Sequence, residues 1–274
     1  MAASISELVT VESDHFSTKT AHLRLTLFTG YRERVEEPQV EVVGQGPRVV
    51  LVHGSVGNAP ATWAQQRELA DRYTLVLVTR PGYPPGPPRD RIDFAEQAEQ
   101  VAPLLQPGDH LVGHSYGGVI SLLAASQRPD ALRSLTVNEP PAFGIARGDP
   151  AVEDFLARFP NAPREPRAYL EFFLPLVGSN MKLPDPLPPE LDAGARAALA
   201  ERPPHEAEIP LGDLAAAPFP KLVVSGGHSA AFDAVCDVLE RELNAERAVV
   251  AGAGHSIPRA PGYNEALLRF LESA

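Results

Sequence analysis

His110-Leu111-Val112-Gly113-His114-Ser115-Tyr116-Gly117-Gly118-Val119 is the stretch on which the reading of this chain turns. Leu111-Val112 closes a short apolar run of strand type. Val119–Ser126 carries apolar residues at the three-to-four spacing of a helix. Between them stands Gly113-x-Ser115-x-Gly117, the sharp strand-to-helix turn that presents a serine hydroxyl at the top of a sheet. Glycine is needed at 113 and 117 because the turn is strained and neighbouring backbone comes close. A serine in an ordinary glycine-rich turn is the plain alternative. The strand before and the helix after favour a nucleophile at Ser115.

The same kind of run recurs on both sides of this stretch. Val49–Val52 ends in His53-Gly54, Leu75–Val78 leads to Arg80-Pro81-Gly82, and Leu135–Val137 leads to Asn138-Glu139-Pro140. Leu222–Val224 and Ala248–Val250 follow. Runs apolar on both faces suit strands covered by helices on both sides. Helical patterns lie between them at Thr62–Asp71, Phe94–Leu105, Phe232–Leu243 and Glu265–Leu271, with Asp93 as N-cap of the second and Glu96 three residues on. Alternating strands and helices predict a mostly parallel α/β sheet with right-handed crossovers. Leu23–Leu27 and Val40–Val42 alternate apolar and polar, as half-buried strands of an antiparallel edge do. Residues 1–20 read as an N-terminal tail.

One interval breaks the rhythm. From Glu139 to Lys221 no strand-like run occurs, and a structureless loop of that length is improbable in a compact domain. Val152–Phe159, Ala168–Val177 and Ala193–Glu201 look helical, with prolines between them. The expectation is a helical lid over residues 142–217, inserted into a core made of residues 21–141 and 218–274. It would cover a site at the C-terminal ends of the strands.

A serine hydroxyl needs a base within hydrogen-bond reach, an orienting partner for that base, and donors aimed at the developing oxyanion. The base belongs after the last strand, where Gly252-Ala253-Gly254-His255 stands. His53, His114, His205 and His228 are weaker candidates, and His53 and His114 fit better as hydrogen-bonding members of the turns that hold them. The expected oxyanion donors are the backbone N–H of Tyr116 and one from the His53–Asn58 loop, with Ser55 first and Val56 next.

His53-Gly54, Gly113-His114-Ser115-Tyr116-Gly117-Gly118 and Gly254-His255, in this order, resemble the α/β-hydrolase superfamily, and in particular its small bacterial esterase-like members with a helical lid. The resemblance covers most of the chain beyond the first forty or so residues. It implies an eight-stranded, mostly parallel sheet, a Ser-His-acid triad, and no cofactor or metal. In that superfamily the acid most often follows the strand after the lid. Here that segment reads Ser225-Gly226-Gly227-His228-Ser229-Ala230, with Ser229 where an aspartate is expected. Some members take the acid from the preceding strand, which points to Glu139. The alternatives are that Glu139 caps the lid entrance, or that Asp233 supplies the carboxylate.

Composition bounds the rest. The chain has 274 residues and a formal net charge of −11, which disfavours a nucleic-acid partner. It has no apolar run long enough to span a membrane. The N-terminus lacks the basic start and apolar run of a secretory signal, and Cys236 is the one cysteine, so a cytoplasmic setting is expected. The expected function is hydrolysis of a small or medium carboxylic ester, thioester or lactone through an acyl-enzyme. The same fold also hosts lyases, acyl transferases and perhydrolases, and a non-catalytic ligand-binding protein is a further alternative. Serine at 115 disfavours the aspartate-nucleophile route of dehalogenases and epoxide hydrolases. Phe143, Phe155, Phe159, Phe172 and Phe173 are expected in the lid core or along an apolar acyl pocket, Arg80–Tyr83 as a pocket-edge loop, and Cys236 as packing. The oligomeric state is open, a homodimer among the options.

Overall fold

The computed structural model describes residues 37–179 and 181–274; the expected tail and the strand at Leu23–Leu27 lie outside them. In chain order the elements are β1 (Gln39–Gly44), β2 (Arg48–Val52), α1 (Ala59–Thr62), β3 (Thr74–Thr79), α2 (Phe94–Val101), β4 (Asp109–His114), α3 (Tyr116–Gln127) and β5 (Leu132–Asn138). Then come α4 (Pro150–Leu156), α5 (Pro166–Leu176), α6 (Pro189–Ala200), α7 (Leu211–Ala216), β6 (Lys221–Ser225), α8 (Ala230–Leu243), β7 (Glu246–Val249) and α9 (Tyr263–Ser273). Among the described residues the sheet has seven strands in the order β1-β3-β2-β4-β5-β6-β7. Only β1, against β3, is antiparallel. Of the eight strands expected, seven fall among the described residues.

The alternation of side chains along each strand explains why the runs are apolar throughout. Val49, Leu51, Leu75, Leu77, Leu222 and Val224 pack on one face with Trp63, Tyr263, Leu267 and Phe270. Val50, Val52, Val76, Val78, Leu135 and Val223 pack on the other with Phe94, Ile120, Phe232 and Leu239. Each such side chain contributes about 1.5–3 kcal/mol by leaving water, so neither face can be left bare.

The strand order also places the site. From β2 the chain crosses to β3 on one side; from β4, next to β2, it crosses to β5 on the other. The loops after β2 and β4 diverge and leave a crevice at the carboxyl ends of these strands.

Local signals explain most helix starts. The Asp93 side chain accepts from the Ala95 N–H and caps α2, but Glu96 pairs with Arg91 instead of closing a capping box. α4, α5 and α6 each open on proline, whose fixed φ suits a first helical turn. The helix expected at Thr62–Asp71 is different: α1 ends at Thr62, and Gln65–Asp71 is a tighter 3-10 turn. There the Gln66 amide donates to the Pro258 carbonyl and to Asn264, tying the segment to the chain's far end. The short α7, with a glycine inside it, was not anticipated. No helix of the described residues is long and apolar enough to cross a membrane.

Candidate active site

Ser115 follows β4 with φ 54° and ψ −126°, a left-handed conformation costly for a residue with a Cβ. The surrounding backbone holds it there. Its N–H donates to the Asn138 carbonyl at 2.9 Å, and its own carbonyl accepts from the Gly118 N–H at 2.7 Å. A Cβ on Gly117 would lie 2.3 Å from the carbonyl oxygens of Val52 and His53, so α3 can start against β2 only with glycine at that position. The same holds at Gly113, where a Cβ would lie 2.5 Å from the Gly117 carbonyl.

His255 comes from the loop after β7 and lies with its Nε2 2.8 Å from Ser115 Oγ. Its Nδ1 lies 2.7 Å from Oε2 of Glu139, the first residue after β5. With the carboxylate taking the Nδ1–H, Nε2 is left free to accept the serine proton. Glu139 is fully buried and sits at φ 42°, a second strained position. Burial pushes its carboxyl up. The His228 imidazole 3.4 Å away, the hydrogen bond from His255 and that from the Gly226 N–H, which donates to Oε1 at 2.6 Å, outweigh that and hold it at about 2. Glu139 is thus ionised at neutral pH. Asp233 is elsewhere: it pairs with Arg247 at 3.1 Å. Ser229 occupies the N-cap position of α8 without capping through its side chain.

Tyr116 opens α3, and the first amides of a helix have no intrahelical acceptor. Ser55 lies in the loop after β2 and borders the same cavity as Ser115 and Tyr116. A Cβ on neighbouring Gly54 would come 2.8 Å from the Ser115 Cβ, so this loop abuts the elbow. The loop is braced from α6, where a Cβ on Gly194 would overlap the Val56 carbonyl.

A buried network missed in the sequence completes that brace. The Glu201 carboxylate, just after α6, accepts from Ser55 Oγ at 2.5 Å, from the Tyr83 hydroxyl at 2.7 Å and from the Arg80 guanidinium at 2.5 Å. Arg80 also donates to the Gly54 carbonyl at 3.2 Å and lies 4.4 Å from the Tyr83 ring centroid and 4.7 Å from that of Tyr116. Arg80 and Tyr83 are core residues, more than a loop at the pocket's edge. A charged residue on an otherwise apolar strand end was the signal for Arg80; nothing local marked Glu201.

His53 is held neutral. Its Nε2 accepts the Arg80 N–H at 3.0 Å, its Nδ1 lies 2.7 Å from the Gly54 carbonyl, and burial together with the Arg80 charge lowers its pKa. His114 packs its ring 5.0 Å from that of His255, and burial, then the His255 charge, lowers it to about 3. His205 lies on the wall of the larger chamber. His228 reaches Glu139. Among the described residues no three His, Cys, Asp or Glu side chains converge as a metal site.

Two chambers meet at Ser115 and His255. One, of about 240 Å³, is lined by Asn58, Thr62, His114, Met181, Ser256 and Arg259, among others. The second, of about 270 Å³, is walled by Phe143, Phe155, Phe159, Tyr169, Phe173 and Phe232. Phe172 stands behind this wall, edge-on to Phe159.

Comparison with known proteins gives matching results. The model of the alpha/beta hydrolase family matches residues 49–263. Over 107 residues the chain is 39% identical to a pimeloyl-[acyl-carrier protein] methyl ester esterase of Aeromonas salmonicida, covering 38% of this chain and 42% of that one. The chain thus spans less than half of that relative's length. Over 190 residues it is 30% identical to a protein of the same name from Methylococcus capsulatus, covering 64% of this chain and 68% of that one. In fold it is similar to an alpha/beta hydrolase from Sphaerobacter thermophilus, with a TM-score of 0.59 at 24% identity over 85% of this chain and 95% of that one.

Proposed function

The chain belongs to the alpha/beta hydrolase family, and from that premise we propose that it is a serine hydrolase of small or medium carboxylic esters, thioesters or lactones. Ser115 Oγ attacks the acyl carbon while His255 Nε2 takes its proton. Glu139 holds the imidazole in the tautomer that can do so, and stabilises the imidazolium. The Ser55 and Tyr116 N–H groups receive the oxyanion. On collapse His255 passes the proton to the leaving oxygen or sulfur, an acyl-Ser115 remains, and water activated by His255 releases the acid. The aromatic chamber takes an apolar group of the substrate, the smaller chamber its other side, and α4–α6 act as a lid over both. The names of the two esterase relatives favour an ester of a small alcohol.

The observation that carries this reading is the unbroken chain Ser115 Oγ, His255, Glu139 at 2.8 and 2.7 Å, with the acid ionised and buried. A carboxylate from the end of β5 in this place supports the reading despite the serine at 229. The test is Ser115→Ala with a p-nitrophenyl ester of short chain, together with labelling by a fluorophosphonate. Turnover should vanish and the label should sit on Ser115. Undiminished turnover in the variant would overturn the proposal.

A further inference from the structure

The loop after β6 brings a second imidazole to the acid of the site. His228 Nε2 lies 3.0 Å from the carbonyl oxygen of Val177, and its Nδ1 lies 3.4 Å from Oε1 of Glu139. Both neighbours are acceptors: one is a carbonyl, the other an ionised carboxylate. A neutral imidazole has one N–H; the imidazolium has two. Only the protonated ring can donate to both, and in the neutral ring a nitrogen lone pair must face an oxygen. Val177 closes α5, at a helix end whose carbonyls lack intrahelical donors, and borders both chambers.

The backbone around this contact is packed without slack. A Cβ on Gly178 would lie 2.2 Å from the His228 ring, one on Gly254 would lie 2.3 Å from the Gly178 carbonyl, and one on Gly226 would lie 2.1 Å from the Gly254 carbonyl. The turn after α5, the His228 loop and the His255 loop therefore form one stack.

We propose that His228 is a positioning residue: as an imidazolium it grips Glu139 through Oε1, while His255 uses Oε2, and ties the triad acid to the end of α5. The inference rests on the Ser115-His255-Glu139 reading above. It couples the helix that walls the cavity to the carboxylate that orients the base, so a shift of one displaces the other.

The groups facing His228 are Glu139 from β5, Val177 from α5, Asp233 and the Phe232 ring from α8, and the His255 ring at 6.3 Å. The Glu139 carboxylate 3.4 Å away raises the imidazole above its ordinary 6.5 against the opposing effect of burial. A raised histidine keeps its contribution below its unfolded value and loses it as pH rises through the folded one. The clamp therefore holds on the acid side and releases as pH rises through the raised value of the folded state.

The experiment measures kcat/KM on a p-nitrophenyl ester from about pH 5.5 to 9.5 for the wild type, His228→Gln and His228→Phe, alongside histidine ring titration by NMR. In the wild type, activity should fall on the alkaline side with the midpoint at which His228 titrates. His228→Gln, which can donate to one acceptor but does not titrate, should lose that limb and fall about tenfold in kcat. His228→Phe, which preserves ring volume, should lose up to about 100-fold with KM little changed. In Glu139→Gln the His228 titration should drop to the ordinary range. A His228 that titrates at or below 6.5, or an alkaline limb that survives unchanged in His228→Gln, overturns the clamp and leaves the hydrolase reading intact. A raised His228 that responds to Glu139→Gln in a protein without ester turnover keeps the clamp and overturns the hydrolase reading.

Discussion

Replacing Glu201 by glutamine removes the counter-charge of a guanidinium that has no access to water. The side chains of Arg80 and Glu201 are 0% and 6% exposed, and the pair is 2.5 Å apart. Breaking a buried pair from one side leaves the other charge uncompensated and typically costs about 3–5 kcal/mol. Glutamine keeps one oxygen for Arg80 and Tyr83, and the Gly54 carbonyl and Gln97 still accept from the guanidinium, so the lower end, about 3 kcal/mol, is expected. For a domain of this size that is a fall in Tm of roughly 6–12 °C. Asp154→Asn is the control. It breaks the Arg158–Asp154 pair, whose side chains are 57% and 69% exposed, and should cost at most about 0.5 kcal/mol. A second readout follows from Ser55, whose hydroxyl loses its carboxylate acceptor. Losing one oxyanion donor costs about 100- to 1000-fold in kcat, so on the proposed role of the Ser55 N–H a displaced Ser55 should lower kcat about tenfold or more with KM little changed. Calorimetry and steady-state kinetics read both effects. A Tm within about 2 °C of wild type together with an unaltered kcat would refute the idea that Glu201 neutralises Arg80 and braces the loop.

Two further outcomes follow. In Glu139→Gln the Gly226 N–H keeps an acceptor, but an amide NH₂ now faces His255 Nδ1 and forces the proton onto Nε2; kcat should fall about 10⁴-fold, while Asp233→Asn, at a carboxylate paired with Arg247, should stay within about threefold. Equal losses in the two variants would remove Glu139 from the orienting role. Acid should destabilise the fold through His53 and His114, which are buried neutral with lowered pKa. The unfolded chain binds their protons below about 6.5 while the folded one resists, so stability should fall as pH drops from 6 toward 4, by about 1.4 kcal/mol per pH unit from His114 alone, with His53 adding in the same direction. Urea unfolding midpoints that stay level over that range would contradict this.

The particular residues show where local reading ends. Val49–Val52, Leu75–Val78 and Leu222–Val224 are legible as buried strands because they are short, β-branched-rich and apolar throughout, as strands covered on both faces are. Ser115 is legible because strand, glycine-flanked turn and helix follow one another in one segment, although the carbonyls that require glycine at 117 belong to Val52 and His53. The 3-10 turn at Gln65–Asp71 is not legible in its own segment, and its Gln66 amide donates to a carbonyl 192 positions away.

The α/β alternation, the elbow and the place of His255 after the last strand are readable from spacing along the chain, whereas Glu139 and Asp233 became candidates through the resemblance to the α/β-hydrolase superfamily. Tertiary structure alone decided that Glu139 touches His255 across 116 residues, that Arg80 and Ser55 share Glu201 across 121 and 146, and that His228 reaches both Glu139 and the end of α5. Those contacts depend on the order of strands in the sheet and on how closely glycines let three loops approach. Neither quantity is written in the period of any one segment.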